Sequence, residues 1–123
     1  MANDVVVAKS AFYPVKPNTP VHLSIMIGDG QVGGSVVTFQ GGQIGSGDAI
    51  KNLPIPKEND ANKDLKDKSV SCITTVRREN PSSGHTSVTY SLQGGVEDDD
   101  FTYDATVSQV GDRAIYQVSF IFS

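Results

Sequence analysis

The C-terminal third of the chain alternates apolar and polar residues with a period of two. Phe101, Tyr103, Ala105 and Val107 fall on one side, and Thr102, Asp104, Thr106 and Ser108 on the other. Tyr116, Val118, Phe120 and Phe122 then alternate with Ile115, Gln117, Ser119 and Ile121. An extended strand sends successive side chains to opposite faces, so each run reads as a strand with one side buried and one side wet. Val110-Gly111-Asp112 supplies a turn between them, which predicts a C-terminal hairpin.

The same logic extends backwards. Ser69 to Arg78 sets Val70, Cys72, Thr74 and Val76 on one face, and His85 to Gln93 does the same with Val88, Tyr90 and Leu92. Asn80-Pro81-Ser82-Ser83-Gly84 between them is dense in turn formers, so a second hairpin and a four-strand meander are expected. In the first half, Val5 to Tyr13, Val21 to Ile27 and Ser35 to Gln40 are rich in β-branched and aromatic residues, and Gln43 to Ile50 adds a short strand. Pro14, Pro17 and Pro20 break any helix after the first strand and predict an extended crossing there. Glu58 to Lys68 alone is helix-friendly, but Ala61 and Leu65 are its only apolar residues, so it reads as a polar connection.

These strands predict an all-β single domain spanning 1–123: an antiparallel β-sandwich of seven or eight strands, with a β-barrel as the alternative. In strand count it is immunoglobulin-like in general architecture. The Cys…Trp…Cys pattern of true immunoglobulin domains is missing, because the chain has one cysteine and no tryptophan.

Charge narrows the function classes. Fourteen acidic side chains against ten basic ones give a net charge of -4, which argues against the positive field that nucleic-acid binding exploits. No apolar run approaches the ~20 residues of a membrane-spanning helix, and Asp4 and Lys9 interrupt the start where a leader's apolar stretch would lie. We therefore expect no nucleic acid and no membrane insertion. Cys72 cannot form an intrachain disulfide, which fits a reducing compartment and equally a bridge-free secreted protein; the compartment stays open.

Three nucleotide or calcium motifs are approached without being completed. Gly28-Asp29-Gly30-Gln31-Val32-Gly33 matches GxGxxG, but Gly34-Ser35-Val36-Val37-Thr38-Phe39 is strand-like and provides no helix to hold a pyrophosphate, so a glycine-rich hairpin loop is expected. Read as a phosphate loop, the same stretch has Gly34 where the lysine belongs. Asp60 to Asp64 begins like an EF-hand, yet Leu65 replaces the turn glycine and Ser71 the bidentate glutamate.

The remaining candidates are loops. Glu97, Asp98, Asp99 and Asp100 form one acidic cluster with Asp104 nearby, the best set of ligands for Ca2+ in the chain. For catalysis there are His22, His85 and Cys72; Cys72 shares a face with Val70 and Val76 and reads as core. Arg77-Arg78 is followed at once by Glu79, so an exposed strand end explains it. Tyr13, Tyr90, Tyr103 and Tyr116 are assigned to core packing rather than to sugar stacking.

The resulting expectation is a non-catalytic binding or interaction module that recognises a protein or glycan through end loops around Gly28 to Gly34, Gly41 to Asp48 and Gly94 to Asp100, with Asp29, Gln31, Gln43 and Asp48 as ligand-binding residues. The alternatives are a calcium-dependent adhesion or carbohydrate-binding module, a structural subunit forming a homo-oligomer through the first or last strand as an edge, and a small hydrolase built on His85.

Overall fold

A computed structural model describes residues 4–16, 19–55 and 65–123. They form nine strands and no helix: β1 (Val5–Tyr13), β2 (Val21–Ile27), β3 (Val32–Phe39), β4 (Gly42–Gly47), β5 (Ile50–Ile55), β6 (Ser69–Arg77), β7 (His85–Gln93), β8 (Asp99–Thr106) and β9 (Arg113–Phe122). One sheet has the order β1-β9-β6-β3-β4 and the other β5-β2-β7-β8. The two are not closed into a barrel, and the fold is a β-sandwich. All neighbours are antiparallel except β1, which runs parallel to β9.

The strand positions follow the sequence pattern, and the pairing does not. The expected hairpin of the last two strands does not form, because β8 pairs with β7 in the four-stranded sheet while β9 lies between β1 and β6 in the other. The hairpin expected of β6 and β7 fails in the same way, so there is no four-strand meander. The physical reason is that alternation marks which face of a strand is buried, and two consecutive strands bury their faces equally well when they face each other across the core. Strands β7 and β8 do form a hairpin, as do β3 and β4. The stretch expected to hold one short strand from Gln43 contains the end of β4 and the start of β5, broken at Asp48 and Ala49. The span 56–64, which includes the EF-hand-like start, lies outside the described residues; Leu65, expected in a polar connection, is buried in the core.

The inner faces carry the residues the alternation assigned to them. Val70, Cys72 and Val76, Val88, Tyr90 and Leu92, and Tyr116, Val118, Phe120 and Phe122 are all buried. Phe101 and Phe120 sit 5.0 Å apart between ring centroids, and Tyr90 and Phe120 5.6 Å. Polar atoms brought into this core are paired. Thr74 Oγ1 lies 2.8 Å from Ser35 Oγ and 2.7 Å from the Tyr90 hydroxyl, and the Thr86 and Tyr116 hydroxyls are 2.6 Å apart. Unpaired, each would cost roughly 1–3 kcal/mol of desolvation.

The outer faces differ in chemistry. On the five-stranded sheet the register aligns Val6, Ala8, Ser10 and Phe12 of β1 with Ile115, Gln117, Ser119 and Ile121 of β9. Next to them come Ser69, Ser71, Ile73, Thr75 and Arg77 of β6, then Val32, Gly34, Val36 and Thr38 of β3. The four-stranded sheet turns outward His85, Ser87, Thr89 and Ser91 of β7, registered with Thr106, Asp104, Thr102 and Asp100 of β8.

Candidate functional site

Strand register sorts the loops into two ends. The β2–β3, β4–β5, β6–β7 and β8–β9 connections meet at one, here the upper end, and the β3–β4 and β7–β8 turns lie at the other. Asp29, Gln31 and Asp48 are therefore at the upper end. Gln43 pairs with Thr38 toward the lower end, and Glu97 to Asp100 lie at the lower end. The three loops expected to form one recognition surface are split between opposite ends, because Gly41 to Asp48 is mostly a strand spanning the sheet.

The upper end is built around the β2–β3 turn. Asp29 and Gly30 both have positive φ, 63° and 73°, and the Gln31 N–H reaches the Gly28 carbonyl at 3.4 Å. Two left-handed central residues are the mark of a type I′ turn, for which Asp-Gly is a favoured pair. The turn joins strands of different sheets, so the expected hairpin loop is a sheet-to-sheet connection.

Gln31 is buried, and its amide is fully occupied. Its oxygen accepts the backbone N–H groups of Glu79 (2.8 Å) and Asn80 (3.0 Å), and its nitrogen donates to the carbonyls of Ser83 and His85, both at 3.0 Å. That uses both donors and both lone pairs of the side chain. Gln31 thus ties the turn to the β6–β7 connection and has no polar capacity left for a ligand. Arg78 acts similarly: its guanidinium donates to the carbonyls of Asn80 (3.0 Å), Ser108 (2.9 Å) and Pro81 (3.2 Å). Arg77 pairs with Glu79, as a strand-end charge would.

Next to the turn, His85 is held between two carboxylates, with Nδ1 3.1 Å from Asp29 Oδ2 and Nε2 3.2 Å from Asp104 Oδ2. The hydrogen bonds from Asp104 and Asp29 raise the imidazole's pKa. Asp29 is lowered, first by the hydroxyl of Ser87, which donates to it at 2.6 Å, and then by His85. Ser87 therefore spends its proton on Asp29 rather than on the imidazole, and both ring nitrogens face carboxylates. A serine nucleophile needs its hydroxyl on the histidine, and that contact is not made. Burial pushes the Cys72 thiol up to about 12, far from a reactive thiolate.

The acidic cluster does not converge. Asp98 Oδ1 accepts the Gly94 N–H at 3.2 Å, and Asp99 Oδ1 accepts the N–H of Asp100 at 2.9 Å. Asp99 and Asp100 are adjacent residues of β8, which sends them to opposite faces. Asp104 lies four residues beyond Asp100 along the strand, ~13 Å away by strand rise, against His85. Among the described residues no three His, Cys, Asp or Glu side chains come together to hold a metal ion. The structure therefore does not bring Glu97, Asp98, Asp99, Asp100 and Asp104 together as one set: adjacent positions on a strand diverge where the same positions on a loop can converge.

A groove of about 770 Å³ opens at the upper end. Its walls are Ser24 to Ile27 of β2, Gln31 to Gly34, Asp48 to Lys51, and Thr75, Arg77, Ser91 and Arg113. Beside it the β2–β5 register slips between Leu23 and Ile25, where Asn52 has φ 52° and its N–H bonds Ser24 Oγ. The lining is aliphatic, with Ile25, Met26, Ile27, Val32, Ala49 and Ile50, and the charges are Asp48, Lys51, Arg77 and Arg113. Gly33 permits close packing of β3 on β6, since a Cβ there would run into the Thr75 carbonyl oxygen. Of the four residues expected to contact a ligand, Gln31 and Asp48 border this groove, Asp29 is clasped by His85 beside it, and Gln43 is outside it. Val32 lies in the expected loop Gly28 to Gly34, Arg77 was read as a strand-end charge, and Met26, Lys51 and Arg113 were not singled out. The exposed Met26, set between the inward Ile25 and Ile27, was the available signal.

Comparison with family models, with curated proteins and with solved structures finds no match to this chain.

Proposed function

We propose that this domain is a non-catalytic binding module and that it receives a segment of another protein in the upper-end groove. The observation that carries the reading is the groove's composition: an aliphatic floor flanked by charges of both signs, opened between strands of the two sheets. Apolar concavities with a few polar groups at the margin are the usual form of binding sites. A protein segment fits better than a glycan, because among the described residues no aromatic ring lines the groove and sugars rely on ring faces for stacking. Tyr13, Tyr90 and Tyr116 are buried and Tyr103 is half-buried, so the tyrosines are committed elsewhere. The absence of catalysis is supported by the Ser87 hydroxyl, which bonds Asp29 instead of His85, and by the buried thiol.

The test is selection of peptides from a displayed random library, followed by amide NMR mapping on the labelled domain. Shifts grouped at Ile27, Gly33, Gly34, Asp48 and Lys51, together with binding weakened at least about tenfold by Met26→Lys, are expected. Peptides that bind equally well to Met26→Lys, or that shift residues elsewhere, sink the reading. Millimolar calcium in the same spectra bears on the lower end: shifts confined to Glu97 to Asp100 would move the reading to a calcium-dependent module.

A further inference from the structure

The outer face of the five-stranded sheet is unusually poor in charge for a chain with 24 charged side chains. Arg77 and Arg113 stand at its upper end, paired with Glu79 and Asp4, and Asp67 and Lys68 border it at the lower end. Between these limits no described outward position of its strands is charged. The face also concentrates exposed apolar groups: Val6, Phe12, Val32, Val36 and Ile73, five of the eight large hydrophobic side chains exposed among the described residues. Phe12 is 67% accessible and Val6 57%. Scattered exposed aliphatics are ordinary on a soluble domain, but a contiguous neutral patch across a sheet marks a contact surface.

We propose that this face packs against the same face of a second copy, giving a two-fold dimer in which two β-sandwiches stack sheet on sheet. Three observations select a second copy over another occupant. First, a neutral face is its own electrostatic complement, whereas a chain with a net charge of -4 repels a copy of itself wherever its charged surfaces meet. Second, its polar ends differ. A two-fold axis running across the strands sets the arginine end of one copy over the Asp67–Lys68 end of the other, so the two pairs of arginines do not meet.

Third, the size fits. Five strands of six to ten residues, at ~4.8 Å spacing and ~3.3 Å per residue, give a footprint of roughly 600–700 Å² per copy, near the ~800 Å² per partner of a standard interface. Strands of stacked sheets lie within about 30° of each other, which a two-fold of this kind allows. The contact differs from edge-to-edge pairing and leaves the edges β1 and β4 of this sheet free of it.

Sedimentation velocity from micromolar to millimolar protein tests the proposal. The wild type is expected to pass reversibly from monomer to dimer. Ile73→Lys and Val36→Lys each place a charge on both halves of the contact and are expected to weaken the dimer by more than about tenfold. Both side chains point outward, so a dispersed amide spectrum checks that the monomer fold survives. Thr102→Lys, on the outer face of the opposite sheet, is expected to leave the dimer unchanged. A wild type that stays monomeric overturns the proposal and leaves the face to another protein. A dimer that persists in a folded Ile73→Lys and Val36→Lys double variant also overturns it, and points to pairing through an edge strand.

Discussion

The two ends of the sandwich use polar residues in opposite ways. At the upper end Gln31 and Arg78, one neutral amide and one guanidinium, together make seven bonds to backbone groups of the connecting loops. At the lower end the chain is held by close backbone packing. Gly94, at φ 95°, leaves no room for a Cβ against the Pro20 carbonyl, and the N–H of Gly95 donates to the Tyr13 hydroxyl at 2.9 Å. The carboxylates of Glu97 to Asp100 stay exposed around that turn. A run of like charges identifies a segment that must remain hydrated, while a single uncharged amide next to a turn can organise four strands' worth of connections. Charge density in the sequence therefore points away from where this structure is held.

Gln31→Ala breaks that comparison most directly. It removes four hydrogen bonds and leaves the N–H groups of Glu79 and Asn80 and the carbonyls of Ser83 and His85 to find water in a partly buried site. At a net ~0.5–1 kcal/mol for each of the four bonds, with water replacing part of what is lost, the loss is expected to be about 2–4 kcal/mol. Chemical denaturation measures it. Gln31→Glu keeps the accepting oxygen but puts a second oxygen where the amide nitrogen donates to the Ser83 and His85 carbonyls, and is expected to recover little. A loss under about 1 kcal/mol would mean that the upper loops hold without this side chain.

Asp98→Ala is the lower-end counterpart. It removes one exposed bond, to Gly94 N–H, and one member of a repelling acidic row. The two effects oppose each other, so a change within about 0.5 kcal/mol is expected. A destabilisation as large as that of Gln31→Ala would show the acidic turn to be structural rather than solvated, and the contrast between the ends would disappear.

The contrast also explains what could be read without coordinates. Period-two alternation depends only on which side of a strand is apolar, so the bounds of β7 and the inner faces of β6 and β9 were legible, while β-branched and aromatic runs marked the bounds of β1 and β2. Pairing was not. Whether β9 lies beside β8 or across the core from it depends on non-local fit, and a four-residue turn such as Gln109 to Asp112 serves either arrangement. The last strand, expected at an edge, is interior for this reason, whereas the first is at an edge. The candidate site was only partly legible. Asp29 and Asp48 were expected only in end loops, with no end assigned, and Arg77, Arg113 and Lys51 reach the groove from strands far apart in sequence. Nothing local marks Gln31 as buried, since its partners lie about fifty residues away.

The smallest effect expected is the pH response of the clasp beside the upper turn. His85 lies between Asp29 and Asp104 and its pKa is raised, chiefly by those two hydrogen bonds. A raised folded-state value means that the clasp stabilises fully below the unfolded histidine pKa of about 6.5 and fades as pH rises through the folded value. At the acid side Asp29, whose pKa is lowered, contributes above the ordinary carboxylate range and loses that contribution as pH falls through its folded value. The clasp is therefore strongest in the weakly acid window between the two titrations. Because the ring is exposed, the effect on global stability is small and local reporters are the proper readout. Imidazole C–H shifts should show His85 titrating above its ordinary value, and both Asp29→Asn and Asp104→Asn should lower its midpoint, with the backbone signals of Gly28 to Gly30 moving in step. A midpoint at the ordinary histidine value that neither variant shifts would show that the carboxylates do not hold the ring in solution, leaving Gln31 and the Ser87 bond to Asp29 to fix the upper turn.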